Sequence, residues 1–429
     1  MIVHELRAAA RQDIPMNDLQ PTLDVAILGG GPAGCATGIF LARAGLNIAI
    51  YEAQRHPKHH IGESLLPGSL PILERVGISR AEMARNFQPK YGARFFDPHR
   101  GDAGEMAPFT FAEGETLAGP SPSYQVLRAD FDALLSQKAR HAGCEFFEHT
   151  TVLDIDQDTA TFTARSDAGS TPIRARFLVD ATGRRAIIAS KRGTKVPLTD
   201  FGRVAVFNYF ADLPPHDASD PQFITMYIFV DATGQRRGGW WWLIPLADGR
   251  TSVGVVMQSG ALAAGLTSEE QFWSQAKRIP RLFGRLKNAR VTEEFRVEAD
   301  YSFRVDEKVG PHFAIVGDAA GFLDPIFSSG VHLALVSAEQ AAAGVVQRLG
   351  GGSMDGLKAY QHHMQSGFGV FHAFVQRYYN GGLLNLFFKK DKPEQYRRAI
   401  VDILAGNVWD QENPVIKMLK SNSGAPPTS

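Results

Sequence analysis

An α/β fold built on a Rossmann-type βαβ unit is predicted by three observations. A short apolar run, Val25-Ala26-Ile27-Leu28, leads directly into the turn Gly29-Gly30-Gly31-Pro32-Ala33-Gly34. A helical pattern follows from Ala33 to Ala44 and stops at Gly45. The next strand-like run, Asn47 to Tyr51, ends on Glu52. Glycines set between a strand and a helix are the context in which Gly-x-Gly-x-x-Gly means dinucleotide binding. Gly29 permits the tight turn, Gly31 lets backbone approach a pyrophosphate, and Gly34 lets the helix pack on the strand. Pro32 and Ala33 open the helix, whose free N–H groups face the phosphates. Glu52 stands where a carboxylate accepts hydrogen bonds from ribose hydroxyls.

The chain has 429 residues, enough for two or three domains or one large layered one. Apolar residues at 44% and charged residues at 21% place it among soluble globular proteins. A formal net charge of zero speaks against a nucleic-acid or anionic-membrane partner. The apolar runs are short and interrupted, so no membrane span is expected. Residues 1–21 lack the continuous apolar core of a secretory leader and read as a flexible arm. Residues 422–429, rich in Gly, Pro and Ser, read as a disordered tail. Only Cys35 and Cys144 occur, so neither a disulfide framework nor a metal site is expected, and a reducing cytoplasm fits.

Three further segments point at the same crevice. Arg128 precedes a helical run that turns Phe131 and Leu134 inward. Phe177 to Gly183 is a buried strand ending in small residues. Phe313 to Ala320 is another, with Gly317 and Asp318 at its carboxyl end. Ligands of open α/β sheets bind outside the carboxyl ends of the strands. This trio resembles the group-A flavoprotein monooxygenases, the para-hydroxybenzoate hydroxylase-like fold. The resemblance implies FAD as cofactor, with Arg128 on its phosphates and Asp318 on its ribityl chain. An aspartate at that position also serves as a helix N-cap, the other reading of Asp318.

Between Phe201 and Met257 the pattern becomes β-branched and aromatic with Pro, Gly and Asp punctuation. An antiparallel sheet over the flavin is expected there, forming the far wall of the site. The expected organisation is an FAD-binding domain from 22–200 and 295–345, the sheet layer at 201–294, and a helical region at 346–421. The helical region carries Phe368, Phe371, Phe374, Tyr378, Tyr379, Phe387 and Phe388. At helical spacing these are core residues or, alternatively, a substrate wall.

Over about residues 22 to 410 the chain is similar to flavin-dependent halogenases, nearest the branch acting on pyrroles and phenols. Trp240-Trp241-Trp242-Leu243-Ile244-Pro245 matches that family's Trp-x-Trp-x-Ile-Pro. Alternate strand positions put Trp240 and Trp242 on one face, which the resemblance assigns to separating organic substrate from flavin. Phe322-Leu323-Asp324-Pro325-Ile326-Phe327-Ser328-Ser329-Gly330 matches Phe-x-x-Pro-x-x-Ser-x-Gly. A halide needs a small pocket of N–H dipoles, and Ser328, Ser329 and Gly330 at a helix start can supply them. Gly330 also lies beside the flavin in the family, and Pro325 and Phe327 stand toward substrate. Lys90 matches the catalytic lysine, although a surface lysine reads the same way from the residues alone. Burial would depress its pKa and favour a neutral amine. Ile61-Gly62-Glu63-Ser64-Leu65-Leu66-Pro67 is shared with this branch, placing Ser64 along the flavin. Tryptophan halogenases carry a Glu where Phe327 stands, an apolar position shared with the pyrrole and phenol branch, so free tryptophan is disfavoured and the residue that assists Lys90 is not identified.

The resemblance implies an enzyme using FADH2, O2 and chloride or bromide to make hypohalous acid and halogenate an electron-rich phenol or pyrrole. A separate flavin reductase is expected, and a small aromatic substrate, free or tethered to an acyl or peptidyl carrier protein. An aromatic hydroxylase on the same fold is the alternative, and a reductase-like FAD protein a further one.

Overall fold

The computed structural model describes residues 23–101, 104–114, 122–199, 202–215, 222–229, 239–299 and 302–421. The expected arm and tail lie outside the described residues. Strand Leu23–Leu28 is the centre of a mainly parallel sheet. It pairs on one side with Ile48–Tyr51 and on the other with Gly169–Asp180, which pairs in turn with Phe313–Ile315. The register aligns Tyr51, Leu28, Asp180 and Ile315 in one row. The residues that follow them therefore emerge along a single edge, which becomes the lip of the site. Both faces are covered, so these strands read as continuous apolar runs rather than alternating ones. Helix Pro32–Arg43 packs on one face against helix Ser329–Leu349.

A second sheet crosses over this edge. Arg203–Ala211, Thr251–Gln258, Gly239–Pro245 and Phe223–Phe229 are antiparallel neighbours, as expected. The sheet is larger than the sequence reading made it. Gly92–Asp97 joins Phe223–Phe229 in parallel, with Glu105–Thr110 beyond it, and Arg296–Ala299 pairs with Arg203–Ala211. These strands come from stretches assigned to the FAD domain, so the layer is mixed and assembled from distant segments. Helices Ser268–Ala276 and Pro280–Leu286 cover its outer face. The first is started by a capping box between Thr267 and Glu270.

Helix Asp355–Tyr379 packs against Ser329–Leu349 and is followed by Gly382–Phe387, Glu394–Leu404 and Pro414–Ser421. The expected boundary at 345/346 falls inside helix Ser329–Leu349. Phe371, Phe374, Tyr378, Phe387 and Phe388 are buried in one core, with Phe368 packed at its edge.

Candidate active site

The strand ends open into a cavity of about 470 Å³. Its walls bring together Gly29, Gly31, Pro32, Ala33, Glu52, Ser64, Arg128, Asp318, Pro325, Ser328, Ser329, Gly330, Trp240 and Trp242. Gly34 and Gly317 lie behind the wall, where packing is the constraint. A Cβ on Gly34 would sit 1.9 Å from the Gly29 carbonyl oxygen, and one on Gly317 2.6 Å from the Ala33 Cβ. Gly29, at a φ of +109°, turns beneath the Ala181 carbonyl. Gly31 differs: a Cβ there would meet nothing within 4 Å. Gly31 is itself the N-cap of helix Pro32–Arg43 and has no side chain to bond the first-turn amides, which are left for an anion.

Glu52 is held rigidly. Its Oε2 accepts from Gly30 N at 2.8 Å, and its Oε1 accepts from Gln54 N at 2.9 Å and from Lys58 Nζ at 2.7 Å. Burial pushes this carboxyl up, but Lys58 and the two amides bring it below the ordinary range. Arg128 is buried and forked onto Asp132, with both hydrogen bonds at 2.9 Å, and it also donates to the Ile61 carbonyl at 2.7 Å. A buried guanidinium needs such a partner. Asp318 is half-buried, and desolvation raises its carboxyl to about 6 despite Arg128. It caps no helix among the described residues: Val316 precedes its turn and Ser328 caps the next helix. Ser64 Oγ is buried without a partner among the described residues. An unmet hydroxyl, an open glycine and uncapped amides on one wall fit a bound dinucleotide.

The Trp strand forms the far wall. Trp240 and Trp242 face the cavity with ring centroids 5.7 Å apart, and Trp241 turns outward onto Phe272 at 4.9 Å. Trp242 fits over Gly254, where a Cβ would fall 2.2 Å from the indole, and donates to Ser252 Oγ at 3.1 Å. Trp240 Nε1 donates to the Tyr379 hydroxyl at 3.0 Å, which donates to Asp324 Oδ2 at 2.8 Å. Asp324 Oδ1 accepts from Ile326 N at 3.2 Å and so starts the turn Pro325–Phe327. The loop then passes through Ser328, held in the left-handed region at a φ of 56°, into helix Ser329–Leu349. Tyr379 therefore ties the Trp wall to this loop. Tyr379→Phe takes one hydrogen bond from the buried Asp324 carboxylate, at a cost of about 1–3 kcal/mol. A lower melting temperature is expected by calorimetry, and an unchanged one would show that the hydroxyl holds nothing.

Lys90 is buried, at 2% exposure, in a void of about 10 Å³. Leu66, Ala93, Phe95, Met226, Ile326, Phe327 and Leu404 line it, and Ile224 and Ser328 are shared with the large cavity. The surface-lysine reading is thereby excluded. Nζ donates to the Leu65 carbonyl at 2.9 Å and stands 5.3 Å from the Phe111 ring centroid. Burial lowers its pKa to about 7. No carboxylate bonds it among the described residues, and Phe327 packs instead on Phe374 at 4.7 Å between ring centroids. A void this small admits an arene only when its side chains, Leu404 and Met226 among them, move aside.

Asp132, Tyr209, Ser252 and Asp324 were not legible as parts of this site, Tyr379 was legible only as a core or substrate-wall aromatic, and Glu63 had no role. Glu63 and Asp324 lie inside the segments Ile61 to Pro67 and Phe322 to Gly330 that carry the family resemblance. The hydrogen bonds of Tyr209 and Tyr379 carried no signal, because their partners lie 146 and 139 residues away.

Fold and cavity together define an FAD-binding flavoprotein. A family model for the FAD binding domain matches residues 22–366. The 1H-pyrrole-2-carbonyl (peptidyl-carrier protein) chlorinase of Pseudomonas fluorescens is 30% identical, over 90% of this chain and 89% of its own. Other curated relatives, flavin-dependent halogenases of fungi and a tryptophan 2-halogenase of Chondromyces crocatus among them, are longer; the chain spans 63–68% of each. Among solved structures, a flavoprotein/dehydrogenase from Cytophaga hutchinsonii is 31% identical with a TM-score of 0.84, covering 93% of this chain and 97% of that one. The myxobacterial chondrochloren halogenase CndH is 28% identical with a TM-score of 0.75, covering 93% of each chain. The chain belongs to the flavin-dependent halogenases. It is an FAD enzyme, and among the described residues no helix is long and apolar enough to cross a membrane.

Proposed function

We propose that the enzyme halogenates an electron-rich phenol or pyrrole at Lys90, with hypohalous acid made in the adjoining cofactor cavity. The observation that carries this is the buried lysine in an apolar void that meets the cavity at Ser328 and Ile224. Reduced FAD, when bound, supplies the electrons that activate oxygen. Gly31, Pro32 and Ala33 would hold its pyrophosphate, Glu52 its ribose, Asp318 its ribityl chain, and Ser64 and Gly330 its ring edge. The amides of Ser328, Ser329 and Gly330 would hold chloride or bromide, since a buried anion requires such dipoles. Trp240 and Trp242 would keep the arene from the flavin. Hypohalous acid would pass them to Lys90, whose neutral amine hydrogen-bonds it or becomes a haloamine beside the arene.

Among the described residues, the lining around Lys90 offers no other charged group, which suits an uncharged flat ring. A carrier-tethered pyrrole is favoured over a free one by likeness to the Pseudomonas chlorinase along nearly its whole length. A separate reductase would deliver the reduced flavin. Free, buried Cys35 and Cys144 suit a cytoplasmic enzyme.

The test supplies enzymatically reduced FAD, oxygen and either halide with phenols and pyrroles, free and carrier-bound, and reads products by mass spectrometry. Halogen isotope patterns are expected. A product gaining only oxygen, whatever the halide, would replace this reading with a hydroxylase.

A further inference from the structure

Halogenation and hydroxylation differ in their proton balance. Reduced FAD, oxygen and an arene give FAD, a hydroxylated arene and one water with no other proton. Halogenation takes two electrons from the flavin and two from the halide, and reduces oxygen to two waters. Of the four hydrogens in those waters, two come from reduced flavin and one from the arene. The fourth must come from solvent, because the halide arrives as a bare anion. Resting on the halogenase reading, the cavity, once its cofactor fills it, therefore needs a route for one proton per turnover.

Glu63 is buried in the cavity wall at 3% exposure. Its Oε1 accepts from the Tyr209 hydroxyl at 2.6 Å. That hydroxyl lies 3.5 Å from His59 Nε2, at the limit of a hydrogen bond. The His59 side chain is exposed to solvent and stacks over Phe207, with ring centroids 6.0 Å apart. On its other side Glu63 is bonded by Ser252, which also receives the indole N–H of Trp242. One tyrosine hydroxyl thus separates a carboxyl lining the cavity from an imidazole facing water. The remaining cavity carboxyls lack such a chain: Glu52 and Asp132 are each clamped by a cation, and Asp318 has no bonded route outward among the described residues.

The geometry points to Glu63, Tyr209 and His59 as a proton path from solvent into the cofactor cavity. The Tyr209 proton moves to the Glu63 carboxylate as Tyr209 takes one from protonated His59. Glu63 then gives its proton into the cavity, and His59 recovers one from solvent. Burial raises Glu63 to about 7, against the hydrogen bonds from Ser252 and Tyr209 and the charges of Arg128 and Arg250. Burial and Arg296 lower the His59 pKa, against Glu293 and Glu298, so the imidazolium gives its proton readily.

The test is a pH jump on the protein with oxidised FAD bound, following the Glu63 carboxyl stretch by infrared. Glu63→Gln identifies the band by its loss. Protonation of Glu63 is expected to slow by about a hundredfold in Tyr209→Phe and in His59→Ala, and imidazole is expected to restore His59→Ala. FAD affinity of His59→Ala should not change, since that side chain lies outside the cavity. Halogenation with reduced FAD should fall by the same factor in both variants. Equal protonation rates in wild type and variants, or no rescue by imidazole, would overturn the path. The pH jump requires no turnover, so an absence of halogenated product would instead count against the halogenase reading.

Discussion

Lys90→Met is expected to reduce arene halogenation roughly a thousandfold, while reduced flavin and halide are still consumed. The methionine fills the void but carries no amine to hold hypohalous acid beside the ring. Free hypohalous acid, trapped by a small thioether, should rise as halogenated product disappears. Full activity in the variant would remove Lys90 from the chemistry. The wild-type rate should climb with pH through about 7, where the buried amine loses its proton. The same substitution should also raise stability. Lys90 titrates at about 7 when folded against 10.5 for the ordinary side chain, so the unfolded chain binds more protons between those values. Wild-type stability therefore rises with pH across that window, and burial costs most below pH 7. The gain from Lys90→Met is expected on the order of a few kcal/mol at pH 6, fading toward pH 10. Melting curves at both ends of the window check it, and a gain independent of pH would show that Lys90 is not buried as a charge.

Gly31→Val and Gly34→Val are expected to fail in different ways. A side chain on Gly34 meets the backbone oxygen of Gly29 at 1.9 Å, which cannot move without shifting helix Pro32–Arg43 off its strand. Loss of soluble protein is the expected result. Gly31 has an extended φ of −76° and empty space before it, so valine there strains nothing in the protein. It projects where a pyrophosphate must pass. A normally folded chain with FAD affinity down by about two orders of magnitude or more is expected, read by retained flavin absorbance and titration. Undiminished affinity in Gly31→Val would mean that the cavity holds its ligand elsewhere.

Local sequence determined a great deal here. The strand, glycine turn, helix and acidic strand end of the Rossmann unit lie within some thirty consecutive positions, and each residue's role follows from backbone geometry at that spot. Alternation along one strand was enough to set Trp240 and Trp242 on one face and Trp241 on the other. Short motifs likewise marked Lys90 and the Ser328 to Gly330 loop. Their chemistry was legible through resemblance, since a lysine's burial leaves no trace in its neighbours along the chain.

Tertiary structure alone decided what surrounds those residues. Lys90 became a weakly basic amine because Leu66, Phe95, Phe327 and Leu404, from four separate segments, exclude water from it. Tyr379 became the tie between the Trp wall and the Ser328 loop, rather than one more aromatic of a helical core, because the chain returns to the site after 139 residues. Glu63 became the cavity's link to solvent only once Tyr209 was folded against it. Periodicity and spacing record what a residue does to its own strand or helix. Desolvation and hydrogen bonding between distant segments depend on three-dimensional packing, which no local pattern encodes.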